Sequence, residues 1–257
     1  MKPIKTICIC GAGTMGSGIA QVSAHSGYQT IQFDLSAEMI EKSRKGIESS
    51  LSKLAEKGRI SVEEKQAILD RILFTTRVED CVADMVIEAI IEKKEAKVGL
   101  FTQLAALNTN DTILATNTSS IPVSEIAAAI PHPKRVVGMH FFNPAPLMKL
   151  VEVIQGDITS QEVMQQTIDT SKQMGKVPVV CKDAPGFIVN RVARHFYLEA
   201  MQLVEKEQTD IATIDAVMEA SGFKMGPFKL MDLIGMDINF GVSNIVWEAL
   251  GKPKRLT

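Results

Sequence analysis

The run Gly11-Ala12-Gly13-Thr14-Met15-Gly16 constrains this chain more than any other feature. It follows an apolar, β-branched stretch (4–10) and precedes a helical pattern that carries Ile19, Ala20 and Val22 on one face. In that setting the G-x-G-x-x-G spacing has a physical logic. The first glycine permits a tight strand-to-helix turn, the second lets the backbone approach a pyrophosphate, and the third lets helix and strand pack closely. The helix N-terminus then turns its N–H groups and the positive end of its dipole toward an anion. Gly11, Gly13 and Gly16, with Thr14 and Met15, are therefore candidate contacts to a dinucleotide. A glycine-rich turn without a ligand is the competing reading.

Asp34 ends the second β-branched run, roughly 20 residues beyond the glycines, where an acidic side chain accepts hydrogen bonds from the adenosine ribose and repels a 2′-phosphate. Leu35 and Ser36 follow it and no arginine is adjacent, so the expected cofactor is NAD rather than NADP. Lys42 and Arg44 are the cations that weigh the other way.

Short β-branched runs at 30–34, 85–89, 112–116 and 135–140 alternate with helical stretches beginning near Thr14, Ser36, Ser61, Lys93 and Ser124, the pattern of a parallel sheet. Two helices, 36–57 and 61–71, run consecutively, the second opened by a Ser61/Glu64 capping box. They form a hairpin inserted through Lys57-Gly58-Arg59. The run 150–154 follows 135–140 too closely for a parallel crossover, so the two are expected to be antiparallel. A helix capped by Thr159 and Glu162 leads to a last strand at 178–181. Beyond Asp183-Ala184-Pro185-Gly186 only helical patterns follow, at 187–206, 210–221, 228–234 and 237–250. The fold expected is α/β: a Rossmann-type, mostly parallel sheet with an inserted helical hairpin over 1–183, then an all-helical domain over 184–257.

A balance of 28 basic against 30 acidic residues leaves no electrostatic footprint for nucleic acid or an anionic membrane. Four scattered cysteines (Cys8, Cys10, Cys81, Cys181) read as core residues, and the four histidines form no zinc spacing, so no metal is expected. Neither a leader pattern nor an apolar run of spanning length is present, which reads as a cytoplasmic protein.

His140 closes a strand at the sheet edge where open α/β folds place ligands. Glu152 sits in Leu150-Val151-Glu152-Val153-Ile154, a charge among core residues in the strand expected to pair with that of His140. A buried carboxylate needs a partner. A dyad follows in which Glu152 orients the imidazole and the other ring nitrogen takes a proton from a substrate hydroxyl. A hydrogen-bonded core histidine is the alternative, and a spacing of this kind does not by itself establish contact.

The chain resembles the 3-hydroxyacyl-CoA dehydrogenase family. The resemblance rests on the glycine motif and on Val86-Ile87-Glu88-Ala89, Asn117-Thr118-Ser119-Ser120, His140-Phe141-Phe142-Asn143-Pro144, the Glu152 strand, Lys182 to Arg191, and Met225-Gly226-Pro227-Phe228. It implies NAD-dependent interconversion of (S)-3-hydroxyacyl-CoA and 3-oxoacyl-CoA, short-chain in its nearest relatives, within fatty acid or butyrate metabolism. It implies that His140 is the general base and Glu152 its partner, and that Ser119 and Asn190 contact the substrate oxygens. A substrate cleft between the two domains is implied with them. Cofactor contacts are implied at Ala89, Glu92, Lys97, Asn117, Ser119 and Asn143, although Glu92 and Lys97 alone read as helix-surface charges. The hairpin offers Ser50, Lys53, Lys57 and Arg59 to the phosphates of coenzyme A in an otherwise charge-neutral chain, and the resemblance implies contacts at Ser50 and Lys57; a solvated helical face is the alternative. Relatives continue past the position of Thr257, so the helical domain is expected to be incomplete. The helix at 187–206 is apolar on almost every side and is expected to be buried all round, in part by a second subunit of a homodimer. Another hydroxy-acid dehydrogenase of the same architecture, or a protein that binds NAD without turnover, remain the rival readings.

Overall fold

Continuous runs of small and β-branched side chains build the middle of the sheet, where helices cover both faces and alternation is not required. In the computed structural model, which describes residues 3–254, the strands are β1 (Thr6–Cys10), β2 (Gln29–Phe33), β3 (Ile72–Thr75), β4 (Met85–Glu88), β5 (Ile113–Thr116), β6 (Val136–Phe141), β7 (Leu150–Gln155) and β8 (Val177–Lys182). They form one sheet in the order β3-β2-β1-β4-β5-β6-β7-β8. All neighbours are parallel except β6 and β7, whose antiparallel pairing sets His140 directly opposite Glu152. Ile7, Ile9, Ile87, Ile113 and Val137 are fully buried along the centre.

Among the described residues the first unit, Met1–Asp183, holds six helices: α1 (Thr14–His25), α2 (Ala37–Glu56), α3 (Val62–Asp70), α4 (Lys94–Leu107), α5 (Val123–Ala127) and α6 (Gln161–Gln173). The α2–α3 hairpin stands where it was expected, with Ser36 capping α2 and a reciprocal Ser61/Glu64 box opening α3.

One local expectation, the cap of α6, is corrected, and two features join those expected. Strand β3, which is not among the expected strands, is a four-residue edge strand separated from α3 by Arg71 alone. The cap of α6 is Ser160, whose hydroxyl accepts from Val163 N; Thr159 is buried and its hydroxyl donates instead to Val136 O at 2.7 Å. Helix α5 opens on Pro122, and the Asp183 carboxylate accepts from Val123 N and Ser124 N at 2.9 and 2.7 Å, so its cap comes from the far end of the unit.

The second unit, Ala184–Thr257, contains α7 (Val189–Glu205), α8 (Ile211–Ala220), α9 (Pro227–Ile234) and α10 (Met236–Ala249). The expectation about the end of the chain at Thr257 lies outside the described residues. Two buried charges organise this unit. Asp215 caps α9 by accepting from Phe228 N and Lys229 N, and the adjacent Gly226 lies so close that a Cβ would sit 2.2 Å from its oxygen. The Arg194 guanidinium donates to Asn239 O and Ser243 Oγ, tying α7 to α10. Helix α7 is not buried all round, however: Arg194, Tyr197 and Ala200 face inward while Val192 is 65% exposed. Met201 and Leu203 of the same helix are about 40% exposed.

Candidate active site

The turn from β1 into α1 is built as the glycines require. Gly11 has φ +109, a conformation that side chains disfavour, and a Cβ there would meet Ala89 O at 2.5 Å. At Gly16 a Cβ would sit 1.9 Å from Gly11 O, so the helix closes on the strand only without one. At Gly13 nothing lies within 4 Å of that position. Gly13 is also the N-cap of α1 and provides no capping side chain, which leaves the first N–H groups of Thr14, Met15 and Gly16 for another acceptor. The turn borders a cleft of about 570 Å³ lined by Gly11, Gly13, Asp34, Leu35, Ala89 and Ile91. Asp34 is held in place by accepting from Ala12 N at 2.8 Å and Ser36 N at 2.9 Å. An open cradle at a helix N-terminus with a fixed carboxylate at its far end fits a dinucleotide.

At the same edge of the sheet, His140 Nδ1 lies 2.7 Å from Glu152 Oε2, with both side chains almost fully buried. A carboxylate only accepts, so Nδ1 carries the proton and Nε2 is left as the basic nitrogen. The Phe142 ring packs on the imidazole at 4.6 Å between centroids. Asn117 Oδ1 accepts from Phe141 N at 2.8 Å, which ties the loop after β5 to the residue beside His140.

A third cluster corrects the reading of Lys97 as a surface charge. Its side chain is 1% exposed, with Nζ 2.6 Å from Glu88 Oε1 and 3.1 Å from Glu92 Oε2. Glu88, not singled out in the sequence, is fully buried and also accepts from Thr116 Oγ1 at 2.7 Å and Ile90 N at 2.8 Å. Burial pushes its carboxyl up, against the opposing pull of the Lys97 charge. At Glu92 burial acts the same way, but the Lys97 charge and the hydrogen bonds from Thr118 and Ser119 together outweigh it and hold the group below the usual carboxylate range. Glu92 Oε1 accepts from Thr118 Oγ1 at 2.6 Å, Ser119 N at 2.9 Å and Ser120 N at 3.1 Å. Ser119 is thus the centre of a tightly tied turn. A charged residue four positions into a helix signals nothing of this; the clue was Glu88 itself, an acid closing an otherwise apolar strand.

The hairpin residues divide. Ser50 and Arg59 line a second cleft, of about 780 Å³, together with Lys149 and Lys176, and no Asp or Glu is among its described lining residues. Lys53 and Lys57 are exposed and do not line it. Lys176 is itself buried and donates to Ala145 O at 2.5 Å and Met148 O at 2.9 Å, pinning the loop that joins β6 to β7. Asn143 is exposed in that loop, and Asn190 belongs to the second unit, in the first turn of α7.

The chain is similar to known proteins over its whole length. Residues 6–184 match the family model described as 3-hydroxyacyl-CoA dehydrogenase, NAD binding domain, and residues 186–257 match its C-terminal domain. It is 44% identical to the 3-hydroxyadipyl-CoA dehydrogenase of Escherichia coli over 99% of its own length, yet spans only 54% of that protein. It is 41% identical to the human mitochondrial hydroxyacyl-coenzyme A dehydrogenase, covering 91% of this chain and 77% of that one. The crystal structure of an (S)-3-hydroxybutyryl-CoA dehydrogenase from Ralstonia eutropha superposes with a TM-score of 0.95 at 36% identity, over 98% of this chain and 90% of that chain.

The two glycines are expected to separate in solution. Gly13→Ala should stay within about 1 kcal/mol of the parent in urea denaturation, while Gly16→Ala should lose more than about 3 kcal/mol, because its Cβ has no room. In fluorescence titration the folded Gly13→Ala protein should bind NADH much more weakly. Unchanged NADH affinity there would show that the cradle does not hold the pyrophosphate.

Proposed function

The chain belongs to the 3-hydroxyacyl-CoA dehydrogenase family, and on that premise we propose that it interconverts (S)-3-hydroxyacyl-CoA and 3-oxoacyl-CoA with NAD, on short acyl chains such as 3-hydroxybutyryl and acetoacetyl. The observation that carries this reading is the buried His140–Glu152 pair at 2.7 Å.

NAD, when bound, would supply the hydride acceptor, and the Gly11–Gly16 turn and Asp34 would hold it; the part of the chain's own residues is the movement of one proton. In oxidation the substrate hydroxyl gives its proton to His140 Nε2 as the adjacent C–H leaves as hydride, and a carbonyl forms. The imidazole then carries a positive charge, which the Glu152 carboxylate stabilises across a charge-assisted hydrogen bond. In reduction the same nitrogen returns the proton to the developing alkoxide. Ser119 and Asn190 are assigned to the substrate oxygens, and Ala89, Glu92, Lys97, Asn117 and Asn143 to the cofactor side. The cleft beside Ser50 and Arg59 suits the phosphates of coenzyme A, because its charged lining is wholly cationic. Lys53 and Lys57 act there only as exposed charges. The name of the Escherichia coli relative favours a second substrate, a 3-hydroxyacyl-CoA that ends in a carboxylate.

No described helix is long and apolar enough to cross a membrane, and the reading is that of a cytoplasmic enzyme of fatty acid or butyrate metabolism. Self-association is assigned to the helical unit, where Val192, Leu233, Ile238 and Phe240 are 55–71% exposed.

Two measurements test these readings. Adding acetoacetyl-CoA to enzyme and NADH should oxidise the cofactor, and His140→Gln should slow that turnover at least about 100-fold with NADH binding intact. No oxidation by the parent enzyme, or parent-like rates in the variant, would sink the assignment. Light scattering at micromolar concentration should give twice the 28.1 kDa chain mass; a mass of one chain that does not change with concentration would exclude the homodimer.

A further inference from the structure

Glu88 stands where three parts of the fold meet. It ends β4, in register with Cys10 of β1 and Thr116 of β5, and its carboxylate has no exposed surface. One oxygen takes Lys97 Nζ at 2.6 Å and Ile90 N at 2.8 Å; the other takes the Thr116 hydroxyl at 2.7 Å. Lys97 therefore reaches from α4 to a fixed negative charge in the sheet, and the same ammonium holds Glu92 Oε2 at 3.1 Å. The other Glu92 oxygen gathers the Thr118 hydroxyl and the amides of Ser119 and Ser120. Every group in this series is tied on both sides, from the buried sheet to the turn that carries Ser119.

The charges explain why the series is rigid. A lysine removed from water must be compensated, and removing one partner of such a group leaves an uncompensated charge. With both carboxylates ionised, Lys97 is shared: Glu88 fixes where the ammonium sits, and the ammonium in turn fixes Glu92. Neutralising Glu88 would free Lys97 to follow Glu92, whose side chain is 35% exposed, and the turn would keep only the weaker tie of Thr118 N to Thr116 Oγ1 at 3.3 Å.

We propose that Glu88 is a positioning residue for the reaction, acting through Lys97 and Glu92 to hold the Thr118–Ser120 turn and with it the Ser119 hydroxyl. The proposal rests on the dehydrogenase reading for its effect on turnover, but its structural content stands independently.

A double-mutant cycle separates positioning from a general structural role. Glu88→Gln keeps the side-chain volume and removes the charge; it should lower kcat/KM for acetoacetyl-CoA by about tenfold. Combined with Ser119→Ala, it should cost nothing beyond Ser119→Ala alone, because the group it positions is already gone. Multiplying losses in the double variant would overturn the proposal. Hydrogen exchange read by mass spectrometry supplies the arm that needs no turnover: the Ser119 and Ser120 amides should exchange faster in Glu88→Gln while those of α6 stay unchanged. Unaltered exchange in the turn would equally overturn the proposal. If the parent enzyme does not act on acetoacetyl-CoA, the dehydrogenase reading fails and exchange alone decides the role of Glu88. Should Glu88→Gln not fold, Glu88→Asp, which keeps the charge but shortens the side chain by one methylene and draws it back from Lys97, should show the same coupling to Ser119→Ala and the same faster exchange; independence in both would count against the proposal.

Discussion

The site depends on one antiparallel pairing at one side of a parallel sheet. Because β7 returns beside β6 instead of crossing over, residues of the two strands stand directly opposite each other, and the register places His140 against Glu152. Both strands are covered, so the Glu152 carboxylate, at 1% exposure, needs a hydrogen-bond partner there. The imidazole is a partner to it, and the same bond sets the proton on Nδ1 and leaves Nε2 as the basic nitrogen. A structural requirement of the strand and a chemical requirement of the site are met by one hydrogen bond.

Buried polar groups tie the surrounding loops to that pair. Asn117 fixes the backbone beside His140, Lys176 holds the loop between β6 and β7, and Glu88, Lys97 and Glu92 hold the turn of Ser119. Buried networks of this kind specify a unique geometry when every member is satisfied. The glycine turn meets the same need without side chains, since at Gly11 and Gly16 the backbones approach too closely for any.

Much of this was legible in the sequence because each signal was an exception to its surroundings. Glu152 stood out as a charge inside an apolar strand, and the glycines as a spaced set between a strand and a helix. Lys97 did not stand out: it lies in Lys93-Lys94-Glu95-Ala96-Lys97, where every charge looks solvated until the orientation of α4 is known. Strand β3 escaped because four edge residues leave too short a pattern, and the cap of α6 was displaced by one residue because Thr159 had a buried carbonyl to satisfy. For α7, composition reports that a helix is apolar and not which partner covers each side. Asn190 was named on family resemblance, since a helix-start amide carries no local pattern of its own.

The central claim is that Glu152 holds His140 in the tautomer that leaves Nε2 as the base. Nitrogen-15 NMR of the histidine-labelled protein, at a pH where the ring is neutral, tests it most directly. The His140 signals should show a protonated Nδ1 and an unprotonated Nε2, with the tautomer preference lost in Glu152→Gln. A proton on Nε2 in the parent protein, or the same preference in the variant, would contradict it.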